Sequence, residues 1–161
     1  MTPNMLNLQW NAVVLYPAGH YASRIRYAAS VKYPAGFRAA TALDVKAGAK
    51  VVRMETLSLA DGRPLSRATT RLSYRAFPDF VTRFAEHPSF TRAFSSYGIA
   101  DYSRASTRIS ARHADVEETK LLALTPGAIL LVSEGVDVDS AGNPISYALS
   151  RFPAERMELV V

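Results

Sequence analysis

The chain has 161 residues, 48% of them hydrophobic and 20% charged, with a formal charge of +5 at pH 7, the composition of one ordinary globular domain. Lys and Arg are scattered from Arg24 to Arg156 with no groove-reading helical module around them, and cysteine is absent, so direct DNA binding, disulfides, thiolate nucleophiles and Cys-type zinc sites are not expected. Residues 1–19 carry no basic leader, and no later stretch reaches the ~18 apolar residues of a membrane span, which points to a cytoplasmic protein.

In chain order, residues 5–16 read as a helix ended by Pro17-Ala18-Gly19. Residues 23–32 are rich in β-formers and read as a strand. Pro34 suits the first turn of a short helix, and Gly48 closes that helix or its exit loop. Residues 51–59 form a second strand, Ala60-Asp61-Gly62-Arg63 a turn, and the residues through Leu72 a third strand. Residues 78–87 and 89–97 form two short helices separated by Pro88, with Ser89 as an N-cap. A strand over 102–112, a helix opened by an Asp115–Glu118 capping box, a strand over 129–138 and a final hairpin strand complete the chain.

These elements are two copies of one unit. The segment from Ala39 to Glu55 aligns with Glu118 to Glu134, 79 residues later, with Leu43, Gly48, Ala49 and Glu55 recurring identically. With one residue inserted in the next turn, Gly62-Arg63-Pro64-Leu65-Ser66-Arg67-Ala68 matches Gly142-Asn143-Pro144-Ile145-Ser146-Tyr147-Ala148, and the match runs on to Leu72 and Phe152. The expected fold is α+β: a six-stranded, mainly antiparallel sheet made from two strand–helix–strand–turn–strand repeats, with helices on one face.

Alternation along the third strand of each copy places Ser66, Ala68, Thr70 and Leu72 on one face and Arg67, Thr69 and Arg71 on the other. The second copy sets Ser146, Ala148, Ser150 and Phe152 against Tyr147, Leu149 and Arg151. The charged face is expected outward or at a subunit contact, which turns the small polar face toward the helices. Thr56 and Ser58 of the preceding strand join that set. Small hydroxyl-bearing residues there leave either a polar pocket or close helix–sheet packing with satisfied hydroxyls.

Enzyme signals are weak. His20, His87 and His113 lack metal-ligand spacing and read as surface or capping histidines, no nucleophile or phosphate-loop motif occurs, and no carboxylate pair is forced together. No catalytic residue, metal or cofactor is assigned. In Arg104-Ala105-Ser106-Thr107-Arg108-Ile109-Ser110-Ala111-Arg112 the arginines recur at every fourth residue, hence on one strand face. They suit a phosphate-like anion, or form a solvated, ion-paired face.

The run from Ser103 to Ala114, with Pro126-Gly127-Ala128 and Gly142-Asn143-Pro144-Ile145-Ser146-Tyr147, resembles the UTRA effector-binding domain of the HutC branch of GntR-type transcription regulators over about residues 22–161. Thr107 to Arg112 is most similar to the phosphonate-utilisation regulators of that branch. The resemblance implies a chorismate-lyase-like fold, a homodimer, and a small anionic effector held between the sheet and the inserted helices.

In relatives that bind phosphorylated sugars, the phosphate-holding positions fall here on Thr56, Ser58, Ser89 and Thr91. The acidic sugar-binding positions fall on Ala68 and Ser146, and a late tyrosine on Phe152. The missing arginines and acids argue against an amino-sugar phosphate and leave Arg104 or Arg108 as the cation. The expected ligand set is therefore Thr56, Ser58, Ser66, Thr70, Ser89, Thr91, Arg104, Arg108, Ser146, Ser150 and Phe152. Such regulators reach DNA through an N-terminal winged helix-turn-helix. Residues 1–21 are too few for one and read as an extension or linker, so a truncated chain or a stand-alone effector domain is expected. A small chorismate-lyase-type enzyme and a pure dimerisation module are the alternatives.

Overall fold

The computed structural model describes residues 5–6, 13–15 and 23–160; His20 and the Pro17-Ala18-Gly19 stop lie outside them. Six strands form one antiparallel sheet in the order β3-β4-β5-β8-β7-β6. The first repeat supplies β3 (Ser23–Pro34), α1 (Phe37–Ala42), β4 (Lys50–Ala60) and β5 (Arg63–Ser73). The second supplies β6 (Tyr102–His113), α4 (Val116–Leu121), β7 (Ile129–Asp139) and β8 (Pro144–Pro153). Helices α2 (Phe80–Glu86) and α3 (Phe90–Ser95) form the insert. The expected helix over 5–16 is replaced by β1 (Met5–Leu6) and β2 (Val13–Leu15), which join β9 (Glu158–Val160) in a small second sheet. Short apolar runs fit either period, and the partner that decides between them lies at the other end of the chain.

The repeat is legible at single residues. Asp44 and Ala123 share positive φ values of 51° and 50°, as do Gly48 and Gly127 at 77° and 85°. Asp61 and Gly62 both have positive φ, the type I′ turn that matches strand twist. Pro34 ends β3 instead of opening α1, whose N-cap is Gly36. The Asp115–Glu118 capping box is complete, and Ser89 caps α3 by accepting from the Arg92 amide.

Helices cover both sheet faces, not one. Val51 and Tyr147 pack with Ala39, Ala40 and Leu43 of α1, while Leu57 and Leu149 lie with Leu122 beyond α4. On the opposite face Val52, Met54 and Leu72 receive Phe80, Phe84 and Phe94 of the insert. The reason is connectivity: α1 and α4 each join neighbouring strands on one side, whereas the insert runs from central β5 to the distant edge β6 across the other. Its phenylalanines at three- and four-residue spacing give it the apolar stripe that crossing needs.

The arginine-bearing face is consequently not outward. Arg67 and Arg151, directly opposed on β5 and β8, are largely buried beneath α4. Arg67 pairs with Glu55 and Glu117 at 3.4 and 3.1 Å, and Arg151 with Glu118 at 3.1 Å. The Thr69 hydroxyl donates to Glu55 and accepts from Arg151, joining the two halves. Arg112 grips Glu118 bidentately, both bonds at 2.7 Å.

The hydrogen bond from Arg112, helped by the Asp115 amide and the charge of Arg151 against the opposing effect of burial, holds the Glu118 carboxyl at about 2, down from 4.5. A depressed folded-state value means stability present above pH 4.5 and lost as the pH falls toward 2. Glu118→Gln should flatten that part of the pH–stability curve in denaturant titrations, and Glu118→Ala should cost about 3 kcal/mol by stranding Arg151. An unchanged acid limb in Glu118→Gln would contradict the network.

Candidate ligand-binding face

On the sheet face that receives the insert, register places the small polar residues side by side. Thr56 pairs with Ala68, Ser58 with Ser66, Met54 with Thr70, Thr70 with Ala148, and Ala68 with Ser150. From β7, Ser133, Gly135 and Asp137 continue the surface beside Ser150, Ala148 and Ser146. Thr56, Ser66, Thr70, Ser146 and Phe152 are buried, while Ser58 and Ser150 are partly exposed. Seven of the expected ligand residues thus share one surface, and Arg104 is the eighth.

Arg104 arrives there through a β-bulge. Arg104 pairs with Asp137 but Ser106 with Val136, so Ala105 is an extra residue in β6. Its insertion reverses the faces of everything after it. Arg104 lies on the hydroxyl-rich face, whereas Arg108 opposite Glu134 and Arg112 opposite Leu130 lie on the α1/α4 face. The three arginines expected on one face are therefore divided. Arg112 belongs to the Glu118 network, and Arg108 is exposed at a cleft of about 180 Å³ lined also by Ala42, Glu134 and Tyr147. In that cleft the Tyr147 hydroxyl donates to Glu134 at 2.6 Å. Burial, then the bond to Glu134, raises the phenol to about 12.

The Arg104 guanidinium reaches over Gly135 of β7, where a Cβ would fall on its Nη1. Its Nε stands 2.9 Å from Asp137 Oδ1, while Asp137 Oδ2 accepts from Ser146 Oγ at 2.8 Å. Burial raises the Asp137 carboxyl and lowers the Arg104 guanidinium from their ordinary values, each partly restored by the other. Tyr102, edge-on to Phe94 at 5.2 Å, feels both charges and shares a 3.0 Å hydrogen bond with the Thr91 hydroxyl of α3. Thr91 is thereby drawn to the rim of this group. Ser89 is not: its hydroxyl is committed to the α3 N-cap.

Sequence reasoning missed Ser133, Gly135, Asp137 and Tyr102. Ser133 Oγ is buried without a hydrogen-bond partner among the described residues. The signal was present in the duplication, because the repeat-mates of Thr56 and Ser58 are Gly135 and Asp137. His87 and His113 are exposed, the latter with Nδ1 2.9 Å from the Gly127 carbonyl, and no cluster of metal-ligating residues occurs among the described residues.

The sequence matches the model of the UTRA domain over residues 19–158. An uncharacterised HTH-type transcriptional regulator of Rhizobium meliloti strain 1021 is 42% identical over 126 residues, 78% of this chain and 52% of that protein, so this chain spans about half the length of that relative. The ligand-binding domain of a putative GntR-family regulator from Bordetella bronchiseptica superposes with a TM-score of 0.79 at 17% identity, covering 92% of this chain and 94% of that one. PhnF from Mycobacterium smegmatis gives 0.74 at 21% identity, covering 92% and 61%. The fold is thus the chorismate-lyase-like α+β fold of GntR-family effector-binding domains. The chain belongs to the UTRA domain family.

Gly135→Ala should destabilise the domain by about 1–3 kcal/mol, the range for overpacking. The same change in an Arg104→Ala background should cost much less, since the clashing group is gone. Equal costs in a double-mutant cycle by denaturant unfolding would contradict the seating of Arg104 on Gly135.

Proposed function

We propose that the chain is the effector-binding and dimerising part of a HutC-type regulator and that its effector is a small anion, namely a phosphonate, phosphate or related metabolite. The observation that carries this reading is the Arg104 guanidinium, held by Asp137 over Gly135 on a surface of serine and threonine hydroxyls. A guanidinium fixed among such groups suits a tetrahedral oxyanion. Thr56, Ser58, Ser66, Thr70, Ser146 and Ser150 supply hydroxyls, Thr91 and Tyr102 the rim, and Phe152 an apolar wall.

Residues 22–161 form the effector unit in this reading, with 1–21 as an extension. A second copy completes a homodimer in the cytoplasm, and DNA is contacted by a winged helix-turn-helix outside this unit. Binding would regulate DNA affinity to the extent that the ligand favours one of two arrangements of the whole regulator. Arg108, exposed on the other face, is not required.

Millimolar phosphate, sulfate and alkylphosphonates should raise the melting temperature of the chain, as ligands that bind only the folded state do. Arg104→Gln should abolish the shift and Arg108→Gln should preserve it. A shift unaffected by Arg104→Gln, or no shift with any of these anions, would overturn the reading.

A further inference from the structure

The cation on this face has an anion beside it, and both are fixed. Asp137 lies 2.9 Å from Arg104 and is itself largely buried, as is the Ser146 hydroxyl that donates to it. Away from the strand ends, Arg104 and Asp137 are the charges that the described residues place on this sheet face. Among the described residues of the sheet these two charges balance. A bare anion docking on Arg104 would leave the group with excess negative charge in a poorly hydrated place, against the carboxylate already there. Among the described residues Asp137 accepts one hydrogen bond, from Ser146, and stands in an ion pair with Arg104, whereas a carboxylate has about four acceptor directions. Acceptor capacity is therefore left for a donor carried by the ligand.

We infer that the ligand is a small zwitterion or near-zwitterion, its anionic group on Arg104 and its ammonium on Asp137, with Asp137 as the specificity-determining residue. This rests on the proposed function and narrows it. The arrangement exists only in the second repeat: the positions equivalent to Arg104 and Asp137 in the first are Ile25 and Ser58, which cannot form it. The ligand consequently has one orientation across the pseudo-two-fold, not two. Buried Ser133 Oγ, on the same face and without a partner among the described residues, offers a further hydrogen bond. Burial, which raises the Asp137 carboxyl, also marks that carboxylate as one a second cation would stabilise.

The test uses matched ligand pairs differing only in the ammonium: taurine against ethanesulfonate, and 2-aminoethylphosphonate against ethylphosphonate, titrated into the chain by calorimetry. In at least one pair the ammonium-bearing member should bind tenfold or more tightly than its partner. Asp137→Asn should bring that ratio to within about twofold, whereas Arg104→Gln should weaken both members. The wild-type comparison alone is decisive if either variant fails to fold. Equal affinities within both pairs, with binding observed, would overturn the zwitterion inference and leave the anion site standing. Absence of binding by all four compounds together with phosphate and sulfate would overturn both.

Discussion

The two halves of this domain meet with arginine facing arginine. Arg67 lies directly opposite Arg151 on the central β5–β8 ladder, the five-pair seam that makes one sheet out of two repeats. Like charges so placed repel, and the seam persists because carboxylates are brought to it: Glu55 from β4, Glu117 and Glu118 from α4. Much of the architecture follows. Helix α4 is fixed over the seam by its acids, and Glu118, held in its capping box, gives both oxygens to Arg112 and shares Oε1 with Arg151. Thr69 faces its own repeat-mate Leu149 at the pseudo-two-fold and relays a hydrogen bond between the halves.

With that face given over to holding the halves together, the proposed ligand site falls on the other, beside the apolar patch covered by the insert. There the symmetry is broken three times. The insert exists once and brings Thr91 to Tyr102. The bulge at Ala105 exists once and turns Arg104 inward. Gly135 and Asp137 stand where the first repeat has Thr56 and Ser58, giving a seat and an anchor for the guanidinium. None of these alone makes a site. A bulge without Gly135 would drive Arg104 into a side chain, and Gly135 without the bulge would face a different residue.

The duplication made the fold readable: two copies of a strand–helix–hairpin unit leave few ways to build a sheet, and turn residues such as Asp61-Gly62 mark its hairpins. The face carrying Ser66, Thr70, Ser146 and Ser150 was equally open to reading, since strand alternation does not depend on tertiary context. What alternation could not give was the position of Arg104 relative to Arg108. A single unpaired residue reverses it, and Ala105 carries no mark of that role. Which face the helices take was hidden for a similar reason, because the buried ion pairs of Arg67 and Arg151 read in sequence as a solvated surface. Asp137 was within reach through its repeat-mate Ser58, but its partner Arg104 comes into register only through the bulge.

The central claim is that the bulge delivers the one guanidinium that binds the effector's anion. Crystals soaked in selenate, a tetrahedral dianion located by its anomalous signal, test it directly. A peak within hydrogen-bond distance of the Arg104 guanidinium on the Ser146 side of the sheet is the predicted result. A peak at Arg108 and Glu134 on the opposite face, with none at Arg104, would contradict it.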